Sequence, residues 1–124
     1  YWERLPLWAS LAALPEPSRS RLRTQRLKNN TLGLANSLRG AGAGVDERAF
    51  ERPLHTRTPV RLVLGAFDTK YIALGRFIQA GIPGSTASIV EGSGHMVHLE
   101  QAEQFHHLVR SSLNEMVSAS GSWR

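Results

Sequence analysis

Asp68 and His95 are the residues of this chain whose types and placement best suit proton-transfer chemistry. Asp68 closes the turn Gly65-Ala66-Phe67 after the apolar run "PVRLVL". His95 follows Gly92-Ser93-Gly94 after a second run, "STASIV". Runs of this length, the first entered through Pro59, predict buried strands. In parallel α/β sheets, reactive groups gather at the carboxyl ends of the strands. Both residues are therefore expected at one sheet edge, on neighbouring strands. A carboxylate there accepts the Nδ1 hydrogen of the imidazole, which leaves Nε2 free as a base.

Each residue also has a plainer reading. An aspartate after a strand is commonly a turn residue or a helix N-cap, and a histidine in a glycine-rich loop is commonly a surface residue. The pairing, acid first and 27 positions before the histidine, favours a catalytic pair. His98 is expected in a structural hydrogen bond near Glu100, and His106 and His107 as structural or exposed helix residues. His95 and His98 invite a metal, but no third ligand of suitable type stands close in sequence, so none is expected. With no cysteine in the chain, thiolate sites, disulfides and a cysteine nucleophile are excluded.

The chain order of acid then histidine is the one α/β-hydrolases use after their serine. Yet no G-x-S-x-G stands anywhere in the sequence. Ser93 lies too near His95 to occupy a strand-to-helix elbow. A nucleophile and its oxyanion hole would have to come from elsewhere.

The elements that must position the pair fall into two regions. Residues 1–44 read as a helical segment. Trp2, Leu5, Trp8 and Ala9 recur at helical spacing. Ser18 offers an N-cap after "LPEP", Leu34 and Leu38 share a face, and "GAGAG" (40–44) closes the region. Residues 45–57 read as a linker. Residues 58–117 alternate strand and helix, and 118–124 read as a frayed tail. In the first helix of that region Leu74, Phe77 and Ile78 share a face. In the last, Ala102, Phe105, Leu108, Val109, Leu113 and Met116 form one stripe. Strand, helix, strand, helix implies parallel strands joined by crossovers. Two such strands leave faces and an edge without partners, so further sequence upstream is expected. The opening "YWERLPLWASL", without a starting methionine or a signal segment, supports the same expectation.

The chain has 124 residues, 41% hydrophobic and 20% charged, with a formal net charge of +5. That composition is globular, and no apolar run approaches the roughly 20 residues that span a bilayer. The positive balance suits an anionic partner.

Four stretches together resemble one family. "YWERLPLWASLAALP", "RLRTQRLKNNTLGLANSLRGAGAG", "LVLGAFDTKY" and "GSGHMVHLEQ" are similar to the C-terminal half of the 2-succinyl-6-hydroxy-2,4-cyclohexadiene-1-carboxylate synthases. These are the α/β-hydrolase-fold MenH enzymes of menaquinone and phylloquinone biosynthesis. "GxxD" and "GHxxHxE" alone mark only the superfamily; "W-E-x-L-P-L", "Q-R-L-x-N" and "G-L-A-N-S-L-R" make the likeness specific. The resemblance implies an α/β fold: a helical cap segment, then the last two parallel strands with flanking helices. It implies an elimination that releases pyruvate, with no cofactor. Asp68 and His95 would be two members of a triad whose serine lies in a missing N-terminal half. Arg26 would grip a carboxylate of a small polycarboxylate substrate, and Trp2 and Trp8 would line the pocket. The compartment would follow the source, cytoplasm in a bacterium or plastid in a photosynthetic eukaryote.

The bottom-up chemistry agrees, since a planar guanidinium binds a carboxylate through two parallel hydrogen bonds. Arg26, however, is one of several basic residues between Arg19 and Lys28, each of which alone reads as a solvated charge. Three rivals stay open: an esterase or C–C hydrolase of the same fold, a truncated copy without activity, and a basic nucleic-acid-binding helix. The last is disfavoured because no aromatic residue interrupts the basic run, and no nucleic-acid partner is expected.

Overall fold

The computed structural model describes residues 4–42, 56 and 58–120. They belong to two compact units, one of Tyr1–Leu14 with His55–Arg124 and the other of Pro15–Leu54.

In the first unit, β1 (Arg61–Gly65) and β2 (Thr86–Val90) form a parallel two-stranded sheet, with Arg61 opposite Thr86 and Gly65 opposite Val90. The crossover is α3 (Thr69–Gly81), as the alternation of patterns predicts. After β2 come a single turn, α4 (Val97–Glu100), and the long α5 (Ala102–Ser120). The pleat sends alternate residues to opposite faces. A Cβ on Gly75 of α3 would stand 2.6 Å from Leu64 Cδ1, so α3 lies on the Leu62 and Leu64 face. Arg61 reaches Glu115 of α5 at 3.6 Å, which puts α5 on the other side.

The core of this unit is small. Leu11, Ile82, Val90 and Val97 are its buried apolar side chains among the described residues. Phe105, Leu108 and Met116 of the α5 stripe are half-buried, but Ala102, Val109 and Leu113 are exposed. Phe77 on α3 is likewise exposed, while Leu74 and Ile78 are half-buried. The reason is geometric: a two-stranded sheet is too narrow to cover the full width of an amphipathic helix. The expected tail also shifts, because α5 continues to Ser120.

Leu5, Trp8 and Ala9 lie in or beside a 3-10 helix, Pro6–Ala13, rather than an α-helix. Pro6 has no amide hydrogen and stands in its first turn, where none is needed. This helix packs against α4.

The second unit contains α1 (Glu16–Leu27) and α2 (Thr31–Ala41). Ser18 is not the cap of α1. The helix starts two residues earlier, because Pro17 in its first turn is already set to a helical φ. Glu16 accepts hydrogen bonds from Ser20 Oγ at 2.7 Å and Arg19 at 2.8 Å. These bonds hold its carboxyl below the usual range. Asn30 caps α2 by accepting from the Gly33 amide at 2.8 Å, and the helix ends at Gly42. Leu34 and Leu38 are both exposed.

Among the described residues no helix is long and apolar enough to cross a membrane.

Candidate active site

The turns that follow β1 and β2 are laced together before either side chain is considered. The Ala66 amide donates to the Val90 carbonyl at 3.0 Å, and the Phe67 amide to the Ser93 carbonyl at 2.9 Å. Ser93 is fully buried, and its hydroxyl donates back to the Val90 carbonyl at 2.9 Å. Ser93 therefore serves the turn, two residues before His95 in sequence. Gly92 takes a positive φ of 70°, a conformation that favours glycine.

This lacing sets Asp68 and His95 side by side. His95 Nδ1 lies 2.6 Å from Asp68 Oδ2. A carboxylate that is ionised can only accept hydrogen bonds, so it takes the Nδ1 hydrogen, and in the neutral imidazole Nε2 then keeps its lone pair. Asp68 is buried, whereas His95 retains 27% of its side-chain exposure and can be reached. The other carboxylate oxygen, Oδ1, accepts the Tyr71 amide at 3.2 Å and caps α3. One oxygen of Asp68 thus caps a helix while the other meets the imidazole. The cap orients the carboxylate, and the carboxylate orients the imidazole.

Two aromatic rings flank the imidazole. Trp8, from the 3-10 helix, meets it edge-on with centroids 5.2 Å apart. Tyr71, one turn into α3, lies tilted against it at 4.5 Å. Such pairs contribute about 0.5–1.5 kcal/mol each beyond area burial, and here they also restrict ring rotation. Trp8 is a candidate site residue through the resemblance; the structure adds Tyr71, three residues beyond the helix cap and so on the cap's side.

Glu100, the acid that ends the GHxxHxE stretch, has a role that the sequence pattern did not give it. It was expected beside His98. Instead its carboxylate accepts the amides of Gly94 at 2.9 Å and Met96 at 3.1 Å. His98 is exposed, with its ring edge-on to Phe105 at 5.9 Å. His106 and His107 are exposed on α5. No three potential metal ligands gather among the described residues.

Arg26 stands in the last turn of α1, half-buried, within the second unit. A cation there also complements the carboxyl end of the helix dipole. Trp2 lies outside the described residues.

No family model matches the chain. A Bacillus subtilis (strain 168) protein, provisionally named 2-succinyl-6-hydroxy-2,4-cyclohexadiene-1-carboxylate synthase, is 39% identical over 116 residues. That match takes in 94% of this chain and 42% of the relative. The structure of MenH from S. aureus superposes with a TM-score of 0.87 at 28% identity, covering 92% of this chain and 43% of that one. The fold is the C-terminal portion of an α/β-hydrolase, with two parallel strands, their crossover helix and the helix that follows. Within that class the chain is MenH-like, similar to the C-terminal part of the 2-succinyl-6-hydroxy-2,4-cyclohexadiene-1-carboxylate synthases. It spans about two fifths of the length of each relative, 42% and 43%.

Proposed function

We propose that this chain supplies the aspartate and histidine of a Ser-His-Asp triad in a lyase of menaquinone or phylloquinone biosynthesis. The complete enzyme eliminates pyruvate from 2-succinyl-5-enolpyruvyl-6-hydroxy-3-cyclohexene-1-carboxylate and forms 2-succinyl-6-hydroxy-2,4-cyclohexadiene-1-carboxylate. The observation that carries this reading is the 2.6 Å contact between His95 Nδ1 and Asp68 Oδ2 in a MenH-like chain.

His95 Nε2 takes the proton of a serine hydroxyl borne on polypeptide outside these 124 residues. The serine oxygen then removes a proton from the substrate carbon. The C–H electron pair becomes the new ring double bond as the C–O bond to the enolpyruvyl group breaks; the group leaves as the enolate of pyruvate and takes the proton held on His95, which gives pyruvate and restores the imidazole. No water is consumed. Asp68 holds the imidazole in one tautomer and offsets the charge it gains. The resemblance supports Arg26 as a ligand of a substrate carboxylate, and Trp2 and Trp8 as residues that contact substrate. The reaction needs no metal or organic cofactor.

Because the sequence has no G-x-S-x-G, the 124-residue chain alone is inactive under this reading. The test compares the complete enzyme on the enolpyruvyl substrate and on simple esters. Pyruvate release without ester turnover supports the lyase; ester turnover without pyruvate release replaces it with a hydrolase.

A further inference from the structure

The geometry points to Glu100 as a positioning residue for His95, acting through the backbone on both sides of the histidine. The inference rests on the reading of His95 as the triad base. Glu100 touches no reacting atom. Its Oε2 accepts from the Gly94 amide at 2.9 Å and its Oε1 from the Met96 amide at 3.1 Å, so one carboxylate brackets residue 95. The bracket is closed on the other side by helix hydrogen bonds. The amides of Leu99 and Glu100 donate to the Met96 carbonyl at 2.8 and 3.0 Å. Residues 94–100 therefore form a ring of covalent and hydrogen bonds, with His95 on its rim.

Neighbouring contacts anchor the ring. Gln101 Nε2 donates to the Gly92 carbonyl at 3.3 Å. Gly94 lies against Ser10 of the 3-10 helix so closely that a Cβ there would collide with the Ser10 side chain. Glu100 and Ser10 line the same small pocket, with Phe67 and Gln101. An ionised carboxylate suits this task because both of its oxygens accept and neither donates. A glutamine of equal shape would turn an NH₂ group toward one of the two amides and lose that bond. An aspartate would be one methylene short of spanning them.

The test uses the complete enzyme and reads no turnover. Nitrogen-15 NMR reads the His95 tautomer and its Nδ1–H, and hydrogen exchange reads the Gly94 and Met96 amides. In the unaltered enzyme we expect a low-field Nδ1–H and both amides slowed on the order of 10²-fold relative to an open chain. Fast exchange at both amides overturns the inference without any variant, which covers the case that substitutions unfold the chain. In Glu100→Gln we expect one of the two amides to exchange at least about tenfold faster. We also expect the Nδ1–H signal to broaden or the tautomers to mix, while strand amides of β1 stay protected. Unchanged His95 signals in a folded Glu100→Gln or Glu100→Ala enzyme overturn the inference and leave the triad reading intact. A histidine without an Asp68-bound Nδ1–H in the unaltered enzyme removes the triad reading itself.

Discussion

Gly65 and Gly94 meet backbone to backbone at the end of the sheet, with no room between them for a methyl group. A Cβ on Gly65 would collide with the Gly94 carbonyl and stand 2.6 Å from the Ser93 carbonyl. These obstacles are main-chain atoms of the loop that carries His95, so the loop itself would have to move. Gly65→Ala should therefore destabilise the chain by about 1–3 kcal/mol through overpacking. It should also shift the His95 imidazole resonances. A melting curve within about 0.5 kcal/mol of the parent would show that the approach is looser than described.

Asp68 divides its two oxygens between a helix cap and an imidazole, and substitution can separate the two tasks. Asparagine caps helices as well as aspartate does, so Asp68→Asn should change stability little. It should turn an amide donor toward His95 Nδ1 and impose the wrong tautomer. In the complete enzyme that should cost about 10⁴-fold in kcat, the scale seen when a triad aspartate is made asparagine elsewhere. Asp68→Ala should instead also lose about 1 kcal/mol of stability with the cap. Equal activity of Asp68→Asn and the parent would remove Asp68 from the chemistry.

His95→Ala should lower turnover of the complete enzyme by about 10²–10⁴-fold or more, through loss of general-base assistance. A rate near that of the parent would mean that another group deprotonates the serine.

Arg26→Ala should chiefly raise KM for the carboxylate substrate, and Arg26→Lys should restore only part of the loss, since an ammonium cannot make the paired hydrogen bonds. Steady-state kinetics of the complete enzyme decide this. Unchanged KM and kcat would return Arg26 to the role of a charge at a helix terminus.

Trp8→Ala should loosen the His95 ring and lower kcat more than it raises KM, since it removes an edge-on contact to the imidazole. A change confined to KM would leave Trp8 a substrate contact with no part in holding the imidazole.

Much of the fold was legible because its signals are local. Apolar runs of strand length, glycine turns and 3.6-residue periodicity identify β1, α3, β2 and α5, and their alternation implies the parallel pairing. The errors have local causes too. Pro17 fixed the start of α1 ahead of Ser18, and Pro6 accompanied a 3-10 helix where the spacing suggested an α-helix. Periodicity identifies the apolar side of a helix but not how much of it is covered. The exposed Phe77, Val109 and Leu113 follow from the width of the two-stranded sheet.

By itself the sequence determined which residues stand at the strand ends, Asp68 and then His95, because strand boundaries and turn residues are set by neighbours in the chain. Tertiary structure decided the rest: the split use of the Asp68 carboxylate, the Trp8 and Tyr71 rings against the imidazole, and the Glu100 bracket around His95. Those arrangements depend on how closely separate segments approach. The approach is governed by packing, such as the missing Cβ at Gly65, which no periodicity encodes.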